Sequence, residues 1–371
     1  MNPNVKFLKS QNSDIMKQNR IMLENGKYII IKLKIMFDII TIGGATRDIT
    51  FLTEEGKVIE TPENLTAQAM LAFEYGAKIK SEEVFFNFGG GSCNAAATFA
   101  KLGIKVAVNC KVGEDEEGEA TIKNLQKLGI DTDLIQIDQN KKTGFSLVVL
   151  NKKDGDRVIF VYKGASDFLN IDEKEISQAK WLYLTSLAGN WKEGLEEINK
   201  AIETSEVKLA WNPGDGQIQA GKDALEKTLK NTEILIVNKD EAIELVQSDE
   251  KLQLDFNQIN DSGILAKTIK TWGPQIVVVT DGKNGAYVQT AENQTLYAPI
   301  IPGNRVDSTG AGDSFGSALV GGYMLTGAIE KALRFGILNS GNVVGEYGAQ
   351  NGILSREEIE KKMKEVKVSY L

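Results

Sequence analysis

The chain has 371 residues, of which 42% are hydrophobic and 25% are charged, and its formal net charge is −8. These values are ordinary for a globular protein of one large domain or two smaller ones, and they exclude a disordered chain, a collagen-like fibre and a disulfide scaffold. The acidic balance argues against nucleic acid as a partner, because non-specific binding needs clustered Lys and Arg.

Histidine is absent. This excludes Ser-His-Asp triads, Cys-His dyads and His-ligated zinc, so a general base must be Asp, Glu, Lys, Tyr or Cys. The two cysteines, Cys93 and Cys110, are too few for a Cys-rich metal site, and such sparse cysteine predicts a reducing, cytoplasmic location. No apolar run reaches the roughly 18 residues that a membrane-spanning helix needs, so we expect no membrane segment.

Residues 1–35 are polar, lysine-rich and weakly periodic. We interpret them as an N-terminal extension that is poorly ordered, with an extra strand around Tyr28–Lys34 as the alternative. The segment Met36–Gly44 indicates a buried strand that runs into a glycine turn. We therefore expect the folded domain to occupy residues 36–371.

From Met36 onward, predicted strands alternate with amphipathic helices, which indicates a mostly parallel sheet covered by helices on both faces. The predicted strands are Asp38–Ile42, Lys105–Cys110, Trp181–Thr185, Lys208–Trp211, Ile234–Val237 and Gln275–Thr280. The predicted helices are Ser92–Leu102, Gly118–Leu128, Trp191–Glu203, Ala220–Lys230, Asp240–Gln247, Ser262–Trp272 and Ser314–Leu325.

A second group of strands interrupts this alternation. We place these strands at Ile49–Ile59, Lys78–Phe88, Thr143–Leu150 and Val158–Tyr162, and we expect them to pair antiparallel. Because they are inserted among the βα units, they predict a small sheet that projects from the main domain and covers a site. The lid strands then lie within residues 49–61, 77–88 and 143–165.

The most specific chemistry lies in residues 305–315, where a strand end leads through small residues into an apolar helix. Gly310, Ala311 and Gly312 let the backbone approach a ligand, and the first-turn N–H groups of the helix make an anion site. Asp313 would repel a phosphate there unless it takes a proton from an attacking hydroxyl. An anion hole beside a base predicts phosphoryl transfer. The alternative is an ordinary Asp N-cap behind a glycine turn.

Two further segments predict a substrate site. In the glycine turn after residue 88, Gly90 and Asn94 are candidates to contact a polyhydroxyl substrate. Interpreted as a dinucleotide fingerprint, Gly89-x-Gly91-x-x-Asn94 has Asn where Gly or Ala should pack, which makes an NAD site the weaker interpretation. Asp48 follows the first core strand and could accept hydrogen bonds from two adjacent sugar hydroxyls, or else cap a turn.

Polar residues also follow two later strands. Asn238 and Glu241 come directly after a buried strand and could organise Mg²⁺-bound waters around nucleotide phosphates, or simply cap a helix. The glycine-rich turn Thr280–Gly285 follows the next strand. No P-loop pattern is present, so an ATP site here must be of another type.

Together these segments resemble the ribokinase/PfkB family of carbohydrate and nucleoside kinases. Gly89–Gly103 and Asp307–Phe315 are similar to its two signature regions, and the matching order runs from Asp38 to about Gly352. The resemblance implies a ribokinase-like, three-layer α/β/α fold with a mostly parallel central sheet and an inserted β-sheet lid. It also implies transfer of the γ-phosphoryl group of ATP to a primary hydroxyl of a sugar, with a nucleoside as the alternative acceptor.

The resemblance further implies roles for individual residues. Asp313 would be the base, and Gly310, Ala311 and Gly312 the anion hole. The residues implied to contact substrate are Asp48, Gly90 and Asn94. The residues implied on the ATP and Mg²⁺ side are Asn238, Glu241, Thr280, Gly282 and Gly285, with Asn339 near the adenine. Asp307, with carbonyls of Thr309 and of the loop ending at Gly348, would hold a monovalent cation such as K⁺. The lid would be a homodimer interface.

Two departures bear on the acceptor. Ribokinases carry a Lys where this chain has Gly91, and an acid after the strand that here ends in Leu184-Thr185-Ser186. A different sugar, a sugar phosphate or a nucleoside would be compatible with these changes. Aromatic lid residues could stack on a nucleoside base, although we prefer to interpret them as lid core; they are Phe85, Phe86, Phe145 and Phe160.

Overall fold

A computed structural model describes residues 19–22, 28–31, 37–61, 69–152, 157–303 and 305–371. The chain divides into two compact units, residues 1–36 and residues 37–371. In the first unit, β1 (Asn19–Met22) pairs antiparallel with β2 (Tyr28–Ile31). The position of β2 agrees with the alternative interpretation of this segment. The expected disorder of residues 1–35 concerns mostly residues outside those described.

The second unit contains the remaining strands and all the helices of the described chain. The strands are β3 (Phe37–Ile42), β4 (Thr46–Thr53), β5 (Lys57–Glu60), β6 (Ala69–Ala72), β7 (Glu83–Gly89), β8 (Val106–Asn109), β9 (Lys111–Gly113), β10 (Gln136–Asp138), β11 (Gly144–Asn151), β12 (Arg157–Tyr162), β13 (Ala179–Leu184), β14 (Lys208–Trp211), β15 (Thr232–Asn238), β16 (Ile276–Thr280), β17 (Ala286–Gln289), β18 (Thr295–Ala298) and β19 (Ser369–Tyr370). The helices are α1 (Gly91–Lys101), α2 (Glu116–Lys127), α3 (Glu173–Ile176), α4 (Trp191–Thr204), α5 (Asp215–Lys230), α6 (Lys239–Gln247), α7 (Phe256–Ile259), α8 (Ser262–Lys270), α9 (Ala311–Thr326), α10 (Ile329–Val343) and α11 (Arg356–Lys362).

The central sheet of this unit has nine strands in the order β19-β18-β17-β16-β15-β14-β13-β3-β8. Every neighbouring pair from β8 to β16 is parallel. The strands from β17 to β19 extend one edge in antiparallel pairing. Within the part of the chain that the structure describes, no helix combines the length and the apolar content needed to cross a bilayer.

Hydrophobic cores lie on both faces of the central sheet. Neighbouring residues of β3 point to opposite faces, so Ile39 belongs to one core and Ile40 to the other. The first core includes buried side chains from α1, α2, α9, α10 and α11, among them Phe315. The second includes side chains from α3, α4, α5, α6 and α8, among them Leu245. This arrangement of helices, sheet and helices confirms the predicted fold class.

The four-stranded lid sheet has the order β12-β11-β4-β7. The predicted antiparallel pairing is correct for β4 with β7 and for β11 with β12. It is wrong for β4 with β11, which run parallel and pair Thr46 with Gly144. Alternation of side chains does not encode strand direction. The two strands can run parallel because the connection between β4 and β11 is long and includes β8 of the central sheet.

The lid has one face towards the candidate site and one face away from it. Asp48 pairs with Ser146 and Asn87 across three strands, and their side chains share the first face. Phe160 and Phe86 belong to the opposite face and are 59% and 62% exposed. The interpretation of the lid phenylalanines as core is therefore wrong for these two residues, because their face of the sheet is uncovered.

Candidate active site

The N terminus of α9 begins with a left-handed turn that glycine fits best. Gly310, the residue before the helix, has φ 75° and ψ 5°. A Cβ at this position would lie 2.2 Å from the Cβ of Ala349. At Gly312, by contrast, no atom lies within 4 Å of the place a Cβ would take. The positive end of this helix therefore borders open space, which is the arrangement that binds anionic groups.

Asp313 lies in the first turn of α9. Its Oδ2 accepts a hydrogen bond of 2.8 Å from Asn94 Nδ2. Burial raises the pKa of Asp313, the hydrogen bond from Asn94 opposes this rise, and the carboxylate of Asp48 adds to it. A carboxylate whose pKa is raised accepts a proton more readily near neutral pH, which suits a general base.

Asn94, on α1, is 5% exposed and connects the glycine turn to Asp313. Because a carboxylate only accepts hydrogen bonds, Asn94 must turn its NH₂ group towards Asp313. One N–H is used in that bond, and the second N–H remains for another acceptor. The side chain can therefore donate to a substrate hydroxyl.

Asp48, on the lid strand β4, is 7% exposed. Its Oδ1 accepts hydrogen bonds from Ser146 Oγ at 2.6 Å and from Thr46 Oγ1 at 2.8 Å. Burial raises the pKa of Asp48, and these two hydrogen bonds lower it. A Cβ on Gly89 would lie 1.9 Å from Asp48 Oδ2, so glycine at this position makes room for the carboxylate.

Two glycine turns pack directly against each other beside Asp48. Gly90 has φ 89°, and a Cβ there would lie 2.4 Å from the carbonyl oxygen of Gly44. A cavity of about 70 Å³ borders both turns. Its polar lining includes Thr46, Ser166 and Lys163. The structure thus brings Gly90, Asn94 and Asp48 into one region next to Asp313.

Asn238 and Glu241 form a reciprocal cap at the start of α6. Asn238 Oδ1 accepts from the Glu241 N–H at 2.9 Å, and Glu241 Oε2 accepts from the Asn238 N–H at 2.8 Å. The two residues therefore do cap a helix, which was the alternative to a role around nucleotide phosphates. Burial is the main cause that raises the pKa of Glu241 to about 7; the Asn238 N–H opposes the rise, and repulsion from Asp215, Asp240 and Asp313 contributes to it.

The turn after β16 lies next to this cap. Thr280 pairs with Asn238 in the parallel register of β15 and β16. Gly285 has φ 91°, and a Cβ there would lie 2.1 Å from the carbonyl oxygen of Ala298. At Gly282 no atom lies within 4 Å of the Cβ position. The turn therefore combines one glycine required by packing with one that faces open space.

Asn339, which the resemblance implies to lie near the adenine, is 0% exposed. Its Nδ2 donates to the carbonyl oxygen of Ser314 at 3.0 Å, and its Oδ1 accepts from the Leu354 N–H at 2.9 Å. The side chain thus ties the first turn of α9 to the chain beyond α10. In this structure it has no surface to offer an adenine.

A groove on the outer side of α10 was missed by the sequence analysis. It has a volume of about 300 Å³ and is lined by residues on either side of Pro302 and by one face of α10 that includes Leu338, Gly341 and Asn342. The segment that follows Gly303 is joined to the end of α10 by a 2.8 Å hydrogen bond from the Val306 N–H to the Val344 carbonyl oxygen. A Pro-Gly pair after a strand and a glycine inside a helix are the signals that could have indicated this groove.

Asp307, Thr309 and Gly348 are brought together by hydrogen bonds. Asp307 is 1% exposed; its Oδ1 accepts from the Thr309 N–H at 2.8 Å and its Oδ2 from the Gly348 N–H at 3.1 Å. These bonds use amide N–H groups, and the carbonyls that the resemblance implies as cation ligands stay a prediction. Thr309 Oγ1 is buried and has no hydrogen-bond partner among the described residues.

The loop after α10 contacts the lid. The ring of Tyr347 stacks on Phe85 of β7, with centroids 4.2 Å apart and an interplanar angle of 17°. A Cβ on Gly348 would lie 2.4 Å from Cγ of Asn87, also on β7. From the lid hairpin, Arg157 Nη1 donates a hydrogen bond to Ser308 Oγ, just before the anion hole. The lid is thus in contact with both segments that surround Asp307.

Comparisons with known proteins agree with this architecture. The sequence pattern described as pfkB family carbohydrate kinase matches residues 61–356. An uncharacterized sugar kinase of Archaeoglobus fulgidus is 30% identical over 259 residues, which cover 68% of this chain and 97% of that protein. The ribokinase of Bacillus subtilis is 29% identical over 278 residues, which cover 73% and 86%.

The fold is also that of a solved ribokinase. The structure of Arabidopsis thaliana ribokinase complexed with ribose and ATP superimposes with a TM-score of 0.70 at 23% identity, and the match covers 89% of this chain and 99% of that one. At this identity the likeness concerns the fold. The family match over most of the chain and the 30% identical relative are similarities of sequence, and they indicate common ancestry as well as a common fold. The chain therefore belongs to the pfkB family of carbohydrate kinases.

Proposed function

We propose that this carbohydrate kinase transfers the γ-phosphoryl group of ATP to a primary hydroxyl of a sugar, with Asp313 as general base. The observation that carries the proposal is the position of Asp313, which lies at the helix N terminus behind Gly310 and accepts a hydrogen bond from Asn94. A base, an anion-binding helix end and a donor to sugar hydroxyls thereby meet at one point.

The proposed reaction needs one proton transfer. Asp313 accepts the proton of the sugar hydroxyl while the hydroxyl oxygen forms its bond to the γ-phosphorus and the bond to the β-phosphate oxygen breaks, which leaves ADP. The amides of Gly310, Ala311, Gly312 and Asp313 face the charge that develops on the transferring group. Asp48 and Asn94 hold the neighbouring sugar hydroxyls, Asp48 as an acceptor and Asn94 as a donor.

The nucleotide side fits Mg-ATP. We place the phosphates between the helix end at Gly312 and the turn at Gly282, both of which border open space. We place the adenine in the groove beside Gly341. Glu241 would hold Mg²⁺ through water; the described residues contain no group of three His, Cys, Asp or Glu side chains that could hold a metal ion. The ion, when bound, would neutralise phosphate charge and the charge of Glu241.

A monovalent cation such as K⁺ fits next to the anion hole. The Thr309 hydroxyl oxygen is buried and has no partner in the part of the chain that the structure describes, and a buried polar atom of this kind is expected to have a ligand. Asp307 supplies a negative charge within the same loop. These residues would tie the cation to the turn that precedes Gly310.

The acceptor site differs from that of a ribokinase at Gly91. A Cβ at this position would lie 2.9 Å from the Cβ of Thr185, so Thr185 occupies the space that a lysine side chain would enter. Thr185 Oγ1 is itself held by the carbonyl oxygen of Ile42 at 3.1 Å. We therefore propose a sugar other than ribose as the acceptor. A nucleoside remains the alternative acceptor, and direct assay separates the two.

The test is an ADP-release assay with ATP and Mg²⁺ across pentoses, hexoses, sugar phosphates and nucleosides, with and without K⁺. We expect turnover on a sugar, and we expect Asp313→Asn to lower kcat by roughly 10²–10⁴, the usual contribution of a general base. Nucleotide affinity, measured by calorimetry, should change little. A variant with near wild-type kcat would remove Asp313 from the mechanism, and turnover on nucleosides alone would establish the alternative acceptor.

A further inference from the structure

Three side-chain amides form a continuous line that ends at Asp313. Asn124 Nδ2 donates to Gln350 Oε1 at 3.0 Å, Gln350 Nε2 donates to Asn94 Oδ1 at 3.1 Å, and Asn94 Nδ2 donates to Asp313 Oδ2 at 2.8 Å. The amides come from α2, from the loop after α10 and from α1, so three separate parts of the chain contribute to the line.

The direction of every bond in this line follows from Asp313. An ionised carboxylate only accepts, so Asn94 must present its NH₂ group to Asp313 and its oxygen to Gln350. Gln350 must then donate to that oxygen and present its own oxygen to Asn124, which must donate in turn. Each amide thereby fixes the orientation of the next one.

We propose that Gln350 and Asn124 are positioning residues for the phosphoryl-transfer base, because they hold the Asn94 amide with its NH₂ group towards Asp313. The inference rests on the role of Asp313 proposed above. A reversed Asn94 amide would place an oxygen against the carboxylate. It would then repel the ionised base and could no longer donate to a sugar hydroxyl.

The surroundings of Asp313 make the orientation of this amide important. The other titratable groups that act on Asp313, or on which it acts, are Asp48 on the lid, Glu241 on α6 and the buried Tyr183 on β13. Burial and the carboxylate of Asp48 disfavour the charged form of Asp313. The hydrogen bond from Asn94 favours the charged form.

Two substitutions should exchange the donor and acceptor roles along this line of amides while keeping the hydrogen bonds between them. In Asn124→Asp the new carboxylate accepts from the Gln350 amide, so Gln350 turns its oxygen towards Asn94. Asn94 must then donate to Gln350 and turn its own oxygen towards Asp313. Gln350→Glu has the same effect one bond closer, because Glu can accept from both Asn124 and a reversed Asn94. In each variant the hydrogen bonds between the amides are kept and only the contact of Asn94 with Asp313 is lost, so we expect both proteins to fold.

The readouts are kcat, KM for each substrate and the acid limb of the pH profile of kcat/KM for the sugar. We expect each reversed variant to lower kcat roughly 10–100-fold, as expected for loss of a hydrogen bond to a charged group. We expect the acid limb to move upward by about one pH unit, because the ionised base has lost its donor. KM for ATP should stay within about twofold of wild type.

Two control variants separate positioning from structural support. Asn124→Leu breaks one hydrogen bond but reverses none, so we expect it to lower kcat less than Asn124→Asp does. A purely structural role predicts the opposite order, with Leu at least as damaging as Asp. Gln126→Glu places the same charge on the same helix, at an exposed side chain whose Nε2 donates to Thr132 Oγ1, and we expect it to leave the acid limb unchanged.

Wild-type kcat and an unmoved acid limb in both Asn124→Asp and Gln350→Glu would overturn the proposal. An equal shift in Gln126→Glu would also overturn it, since the effect would then be one of charge alone. If Gln350→Glu fails to fold, Asn124→Asp decides the question, because its side chain is partly solvent-exposed. Asp313→Asn separates failure of the proposed function from failure of the positioning role. Retained activity in Asp313→Asn would show that Asp313 is not the base. Lost activity in Asp313→Asn, together with wild-type behaviour of both reversed variants, would exclude only the positioning role.

Discussion

Glu241 is a single residue whose protonation changes close to neutral pH. Burial raises its pKa to about 7 from an ordinary value of 4.5. The folded protein therefore binds this proton more tightly than the unfolded chain does. The resulting contribution to stability is complete below pH 4.5 and is lost as the pH rises through about 7.

Substitution of Glu241 by Gln should remove this pH dependence, because Gln cannot ionise yet can still accept from the Asn238 N–H. In metal-free buffer at pH 8 we expect Glu241→Gln to be more stable than wild type by up to about 3 kcal/mol. At pH 4.5 the two proteins should be equally stable. Urea unfolding at both pH values measures the difference, and a gap of the same size at both would contradict the assignment.

Single residues were predictable where a side chain follows a strand or a glycine turn. Asp48, Asn94 and Asp313 were singled out in this way, and the structure brings them together. The burial of the Asn339 side chain was not predicted, because helical position alone does not say which face of α10 is buried between two other segments. The amide of Gln350 was not singled out as a site residue, because its partners lie 226 and 256 residues away along the chain.

At the scale of elements, the start of α9 depends on one glycine and tolerates change at another. Gly310→Ala would force an Ala into the left-handed region and would overlap Ala349. We expect a loss of roughly 1–3 kcal/mol in unfolding free energy. Gly312→Ala meets open space inside the helix and should be neutral or stabilising by about 0.5–1 kcal/mol. Thermal unfolding of both variants compares them directly, and equal melting temperatures would contradict the argument.

The predicted strands and helices of the central sheet agree with the observed ones to within a few residues, apart from α5, which begins at Asp215 and has non-helical backbone at Gly221. Alternating strands and helices have a strong sequence signal because their periodicities differ. The direction of β4 relative to β11 had no such signal, since it depends on the path of the long connection between them.

At the scale of the whole molecule, the outer face of the lid is an apolar sheet surface without a covering layer in the described chain. Its exposed side chains include Phe86, Phe160 and Tyr162. We expect two copies to associate through this face, so that light scattering gives about twice the chain mass of 40.6 kDa.

Phe160→Glu should convert the dimer to a monomer, because a charge would then be buried in an apolar interface. Phe256, which is 78% exposed on a helix of the main domain, supplies the matched control. Phe256→Glu should leave the mass unchanged. A monomeric wild-type protein, or a dimeric Phe160→Glu variant, would show that the lid face has another role.

The stacking of Tyr347 on Phe85 has a consequence for the order of events in a catalytic cycle. The same short loop that carries Tyr347 also carries Gln350, whose amide orients the donor to Asp313. We expect this loop to lose its contact with β7 when the lid opens to admit a sugar. The base would then be fully assembled only after the acceptor is enclosed. We therefore expect slow ATP hydrolysis in the absence of a sugar.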